Sequence, residues 1–212
     1  MRVARWRITG LTAAALAAMF VVQYVALGSG EDLIRSIIRI TARVSVALFL
    51  LAFTASSLRA LFPSSASTWL LQNRRYLGVS FALSHFTHLA ALFALGAWFP
   101  HPFLDDTTAV TFLGGGLAYV FLAAMTITSF APPRRLIGER AWKILHTTGS
   151  YYIWFIFFIS YVPLALQSAA YLPLAAALVV AFGLRMARRY KRKAPAPLGS
   201  ISTERTESTE YQ

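Results

Sequence analysis

Six apolar stretches separated by short polar connections organise the chain: Ile8 to Leu27, Val44 to Leu61, Tyr76 to Phe99, Ala109 to Ala131, Ile144 to Leu166 and Ala169 to Leu184. Several reach the ~20 residues that an α-helix needs to cross hydrocarbon. The pattern therefore predicts an all-α integral membrane protein, a six-helix bundle over residues 1–190. The first stretch follows Arg2, Arg5 and Arg7 and has the small residues of a signal sequence, but its length favours a retained span. Arg59 lies near the end of the second and can snorkel to the interface. The sixth is short, and Leu166 to Ser168 can extend it. After Tyr190 the composition turns to Lys, Pro, Ser, Thr and Glu, so residues 191–212 are expected to form a disordered, basic-to-acidic tail.

Composition agrees with this layout. Apolar residues make up 57% of the 212 positions and charged ones only 13%, about half the usual share for a soluble domain. The net charge of +12 raises the question of nucleic acid, but the basic residues sit in short clusters between apolar runs and not over one face. Arg2, Arg5 and Arg7, then Arg59, Arg74 and Arg75, then Arg134, Arg135, Arg140 and Lys143, then the run from Arg185 to Lys193 fall on one side if six helices alternate. By the positive-inside rule that side is the cytoplasm, with both termini on it, and the expected location is the inner (plasma) membrane. Glu31, Asp32, Asp105 and Asp106 fall opposite.

Arg35, Arg39 and Arg43 break that rule. They recur every fourth residue on one helical stripe, with Leu33, Ile34, Ile37, Ile38 and Ile40 between them. Two readings stand: an interfacial helix whose arginines meet lipid headgroups, or an anion clamp over a cofactor.

The absence of cysteine removes disulfides, thiolate catalysis, iron–sulfur clusters and Cys-ligated zinc. No G-x-G-x-x-G occurs, and Gly114-Gly115-Gly116 in the fourth span reads as a close helix–helix contact. No HExxH occurs either, which disfavours a zinc hydrolase. Of four histidines, His85 and His88 lie in the third span and His146 near the start of the fifth, while His101 follows Pro100 in an outer loop. Ionisable groups inside a membrane are costly, so function is the first hypothesis for them. Neutral imidazoles from two helices, aromatic walls and cationic partners are the ingredients of a haem site.

Four stretches then carry a family resemblance: Thr41-Ala42-Arg43; Arg74-Arg75-Tyr76-Leu77-Gly78 with Leu83-Ser84-His85-Phe86-Thr87-His88-Leu89; Thr128-Ser129; and Arg135-Leu136 through Trp142-Lys143-Ile144-Leu145-His146. From about Glu31 to Arg189 the chain resembles the ferric reductase-like transmembrane family, most closely its small bacterial branch, the haem-carrying membrane subunit of the periplasmic methionine sulfoxide reductase system. That likeness implies haem b between the third and fifth helices. It implies a membrane electron-transfer subunit, an oxidoreductase component without its own flavin or nicotinamide domain. A cytoplasmic flavoprotein or quinol would supply electrons to an outer-side reductase or ferric acceptor.

The likeness also implies site residues. His88 matches the outer ligand of the third helix, His146 the inner ligand of the fifth, and Arg43, with Arg39, a partner for the outer haem. The family's second fifth-helix histidine falls at Ile159 or Ser160, and the inner third-helix position holds Arg74. Thirteen residues of helix rise about 20 Å, so His88 and His146 would serve different haems. A tilted fifth helix would instead let His85 share one central haem with His146. The incomplete ligand set leaves one haem, two, or none; the alternative is a haem-free membrane scaffold or partner-binding subunit. A transporter ranks last, because no second inverted half is visible.

Overall fold

The computed structural model describes residues 2–101 and 109–193. Its described residues form six long helices and no strand: α1 (Arg2–Leu27), α2 (Glu31–Leu61), α3 (Ser65–Trp98), α4 (Ala109–Ile127), α5 (Ala131–Gln167) and α6 (Leu172–Lys193), with a 3₁₀ turn at Ala169–Tyr171 before α6. Five are long and apolar enough to cross a membrane, so the chain is a multi-pass membrane protein. In α4 the apolar run among the described residues is Phe112–Ile127, about 24 Å of helix and short of a bilayer core. Asp105, Asp106 and most of the expected tail lie outside the described residues.

Local chemistry explains where the helices begin and end. Ser64 and Ser67 form a reciprocal capping box at the start of α3, which satisfies two backbone donors that the first turn would otherwise leave unpaired. Pro132 and Pro133 open α5, where their missing N–H groups cost nothing. Gly138 then interrupts α5 with φ 74° and ψ 163°, a backbone conformation that suits glycine. Helix α2 begins at Glu31, well before its apolar run. Leu33, Ile34 and Ile37 are buried against Ala91 and Leu95 near the end of α3, and that packing draws the arginine-bearing segment into the same continuous helix.

Pairwise contacts set the arrangement. Helices α2 and α3 form the most extensive pair, antiparallel, with Phe49 against Phe81, Ser45 against Ser84 and Thr41 against His88. The sequence of neighbours α3, α2, α6, α5, α4 and back to α3 closes a ring, and α1 packs outside it on α3 and α2. Trp6 of α1 meets Tyr76 edge-on at 5.2 Å, and Ser36 of α2 donates to Gln23 at 2.7 Å. The ring encloses an aromatic core in which Phe49, Phe53, Phe81 and Phe157 are almost fully buried. Outside, large apolar side chains face away from the protein, including Val25 at 79% exposed, Phe93 at 69% and Val120 at 64%. Such a surface suits acyl chains, not water.

Glycine acts as a spacer at two points between α4 and α5. A Cβ on Gly149 would lie 2.5 Å from the Met125 sulfur and 3.2 Å from Phe121. The Gly114 carbonyl accepts from the Tyr152 hydroxyl at 3.1 Å, and a Cβ there would meet Ile156 at 3.3 Å. Gly115 and Gly116 face open space, so one glycine of the triplet makes the close contact.

Candidate functional site

The three membrane histidines fall in two places. His85 and His88, one turn apart on α3, stack nearly parallel at 5.3 Å. His88 Nδ1 lies 3.0 Å from the Ile38 carbonyl, with Thr41 Oγ1 at 3.3 Å. A carbonyl only accepts, so Nδ1 carries the proton and Nε2 keeps its lone pair. Nε2 makes no hydrogen bond among the described residues. Metal-ligating imidazoles are commonly oriented this way, by a backbone carbonyl on the other ring nitrogen.

His85 is differently enclosed. Its ring stacks on Tyr119 at 4.8 Å and is flanked by Phe81 and Phe157, each at 5.4 Å. Its Nδ1 and the Tyr119 hydroxyl are both buried without a hydrogen-bond partner.

His146 lies toward the other end of the bundle, its ring against Trp142 at 4.4 Å and tilted by 33°. Thr128 Oγ1 gives its one proton to the Ala124 carbonyl at 2.7 Å, so it accepts from His146 Nε2–H at 3.1 Å. The Trp142 indole N–H donates to the Thr128 carbonyl at 3.0 Å and locks the same corner. Tyr119 on α4 and Thr128 just past its end are nine residues apart, and Phe157 and His146 eleven apart on α5, so the two histidine sites differ in depth by roughly 14–17 Å. One iron cannot take both His85 and His146, and the shared central haem expected from a tilted fifth helix does not fit this register.

The positions where the expected resemblance would put a second fifth-helix histidine point away from the core. Ile159 and Ser160 are exposed, while Phe157 and Tyr161 occupy the inward face at that level. Of the three arginines in the first half of α2, Arg35 pairs with Glu31 at 2.6 Å, Arg39 is exposed, and Arg43 lies over the Tyr171 ring at 5.3 Å. His101 is exposed.

His146 opens onto a cavity of about 1120 Å³ at the end of the bundle where α3 and α5 begin and α6 ends. Phe49, Phe53, Phe81 and Leu122 form its apolar floor. Nine arginine and lysine side chains line it against one acid, Glu139, which is already paired with Arg134. Arg185 donates to the Phe53 carbonyl at 3.1 Å and to the Tyr151 hydroxyl at 3.2 Å, and Arg188 donates to Ser56 at 2.7 Å. Along the chain these residues signal topology alone. Their i, i+3, i+4, i+7 spacing at 185, 188, 189 and 192 is the signal that they share one helix face.

Among the described residues no group of three or more His, Cys, Asp or Glu can hold a bare metal ion. Haem needs only one or two axial side chains from the protein, and the His88 geometry fits that demand. No protein-family model, curated protein or solved structure matches the chain.

Proposed function

We propose that the chain is a membrane electron-transfer subunit that holds b-type haem, in keeping with its sequence resemblance to ferric reductase-like proteins. The observation that carries this reading is His88, whose Nδ1–H is engaged by the Ile38 carbonyl so that Nε2 stays available as a ligand, with the ring stacked on His85. Bound haem would supply reversible one-electron chemistry. The protein's part is to hold the His88 tautomer, to exclude water with Phe81, Phe86 and Phe157, and to offer Arg43 and Arg39 to the propionates. His146 is the candidate ligand at the inner depth, where its Nε2 must leave Thr128 before it can bind iron. Basic residues concentrated at the inner end support a cytoplasmic placement of both termini in the inner (plasma) membrane. Electrons would then run from a cytoplasmic flavoprotein or quinol toward an outer-side acceptor.

A haem-free scaffold is the second reading. It is favoured by the closed packing around His85, by the engaged Nε2 of His146 and by the outward-facing Ile159 and Ser160. Haem per polypeptide in the purified full chain, compared among wild type, His88→Ala and His146→Ala, separates the two. The electron-transfer reading expects haem that falls sharply in His88→Ala while the variant still folds. Haem content unchanged in both variants would remove these ligands from consideration.

A further inference from the structure

The inner cavity concentrates more charge on one inward surface than membrane topology asks for. Topology needs basic residues near the ends of the spans, in any direction. Here Arg185, Arg188, Arg189 and Arg192 of α6 all turn into the cavity, whereas Tyr190 between them is 80% exposed and Lys191 faces outward. Arg74 projects into the same space from α3, within electrostatic reach of Arg185 and Arg188, and makes no hydrogen bond or ion pair among the described residues. The acceptors that hold Arg185 and Arg188 in place are all neutral. Guanidinium groups gathered in one recess repel, and the wall answers nine cations with a single carboxylate, Glu139, already paired with Arg134, and with the ring faces of Phe53 and Tyr151.

We propose that this cavity is a binding site for a phosphate group, with Arg74, Arg185 and Arg188 as its clamp. Three converging guanidinium forks suit the several acceptor oxygens of a phosphate better than the two of a carboxylate. The two carboxylates of a haem would also leave most of the nine cations uncompensated. The apolar floor of Phe53, Phe81 and Leu122 continues directly from the clamp, so a phosphate carried on an acyl tail fits both parts of the cavity. Basic pockets between membrane helices are a recurrent home for anionic lipid headgroups. Two sources share this chemistry, an anionic phospholipid and a soluble phosphate anion; the proposal holds with or without haem at His88, whereas a haem at His146 would compete for the same cavity.

The test uses the full chain in phosphatidylcholine nanodiscs doped with a minor fraction of phosphatidylglycerol, with retained lipid read by native mass spectrometry. Wild type is expected to hold phosphatidylglycerol in preference to phosphatidylcholine, and Arg74→Gln/Arg188→Gln to weaken that retention by about tenfold or more, the effect of losing charge-assisted contacts. Lys191→Gln removes a charge from the outward face and is expected to leave retention unchanged. A second arm titrates inorganic phosphate into protein in pure phosphatidylcholine discs by calorimetry. Phosphate binding that depends on Arg74 and Arg188, without lipid preference, would assign the site to a soluble anion. Absence of both, or losses equal in Lys191→Gln and the double variant, would overturn the proposal. Arg74→Lys/Arg188→Lys keeps the charge and guards against misfolding: partial recovery of binding supports the clamp, and a folded Gln variant with full binding refutes it.

Discussion

Gly149 faces Met125 and Phe121 across the α4–α5 contact, and substitution there has a calculable outcome. In Gly149→Ala the new methyl meets the Met125 sulfur at 2.5 Å and Phe121 at 3.2 Å. The thioether is the far end of a flexible side chain and can swing aside, while the Phe121 ring must give by a few tenths of an ångström. Replacing glycine by alanine inside a helix returns about 1 kcal/mol, similar to the ~1 kcal/mol expected for mild overpacking, so Gly149→Ala should be near neutral. Gly149→Leu adds three more carbons where Met125 and Phe121 already sit. It should cost about 2–3 kcal/mol, because the only relief is to move α4 away from α5.

The assay is thermal unfolding of the purified protein in detergent, followed by circular dichroism and by loss of the monodisperse peak. At ~2–4 °C per kcal/mol for a chain of this size, Gly149→Leu should unfold roughly 4–12 °C lower. Shortening the obstructing side chain in Gly149→Leu/Met125→Ala should recover part of that loss, with a coupling of about 1 kcal/mol between the sites. An unfolding temperature for Gly149→Leu equal to that of wild type would refute the α4–α5 contact. So would a double variant whose losses simply add.

Ser84 donates to the Thr41 carbonyl and accepts from Ser45 across the α2–α3 seam, so Ser84→Ala should cost only ~0.6 kcal/mol per hydrogen bond inside a membrane, while Ser84→Val should cost more by wedging the pair apart; unfolding temperatures of the two rank the effects. Gly138→Ala should lose about 1 kcal/mol through its positive φ, and limited proteolysis of the α4–α5 connection should accelerate. Arg185→Gln removes two hydrogen bonds and the stacking of the guanidinium on Phe53 at 4.1 Å and Tyr151 at 4.7 Å, and should destabilise the α2–α6 contact by about 2 kcal/mol, measured by the same unfolding assay.

The six helices were legible because each carries its own apolar run, a local property that needs no partner to be recognised. The helix ends were less so. Glu31 through Arg43 read as an amphipathic approach to the second span, and only the packing of Leu33, Ile34 and Ile37 on the far end of α3 shows why it joins the span. The histidines could be picked out one by one, and helix rise already set His88 apart from His146, but whether His85 reaches the level of His146 depends on which residue of α4 or its C-terminal end each one meets. Tyr119 faces His85 and Thr128 faces His146, and this pairing separates the sites. The arginine cavity was hidden for a related reason. Arg74 and Arg185 lie on helices distant in sequence, and charge read along the chain reports a side of the membrane without revealing that side chains from both helices turn into one recess.

Whether electrons cross this bundle on haem held by its membrane histidines, as we propose, is decided by a dithionite-reduced minus oxidised absorption spectrum of the purified wild-type chain, with haem quantified per polypeptide. A haem-carrying bundle gives a Soret band and a sharpened alpha band with haem stoichiometric to protein. A colourless, haem-free protein purified intact from haem-sufficient cells would contradict the proposal.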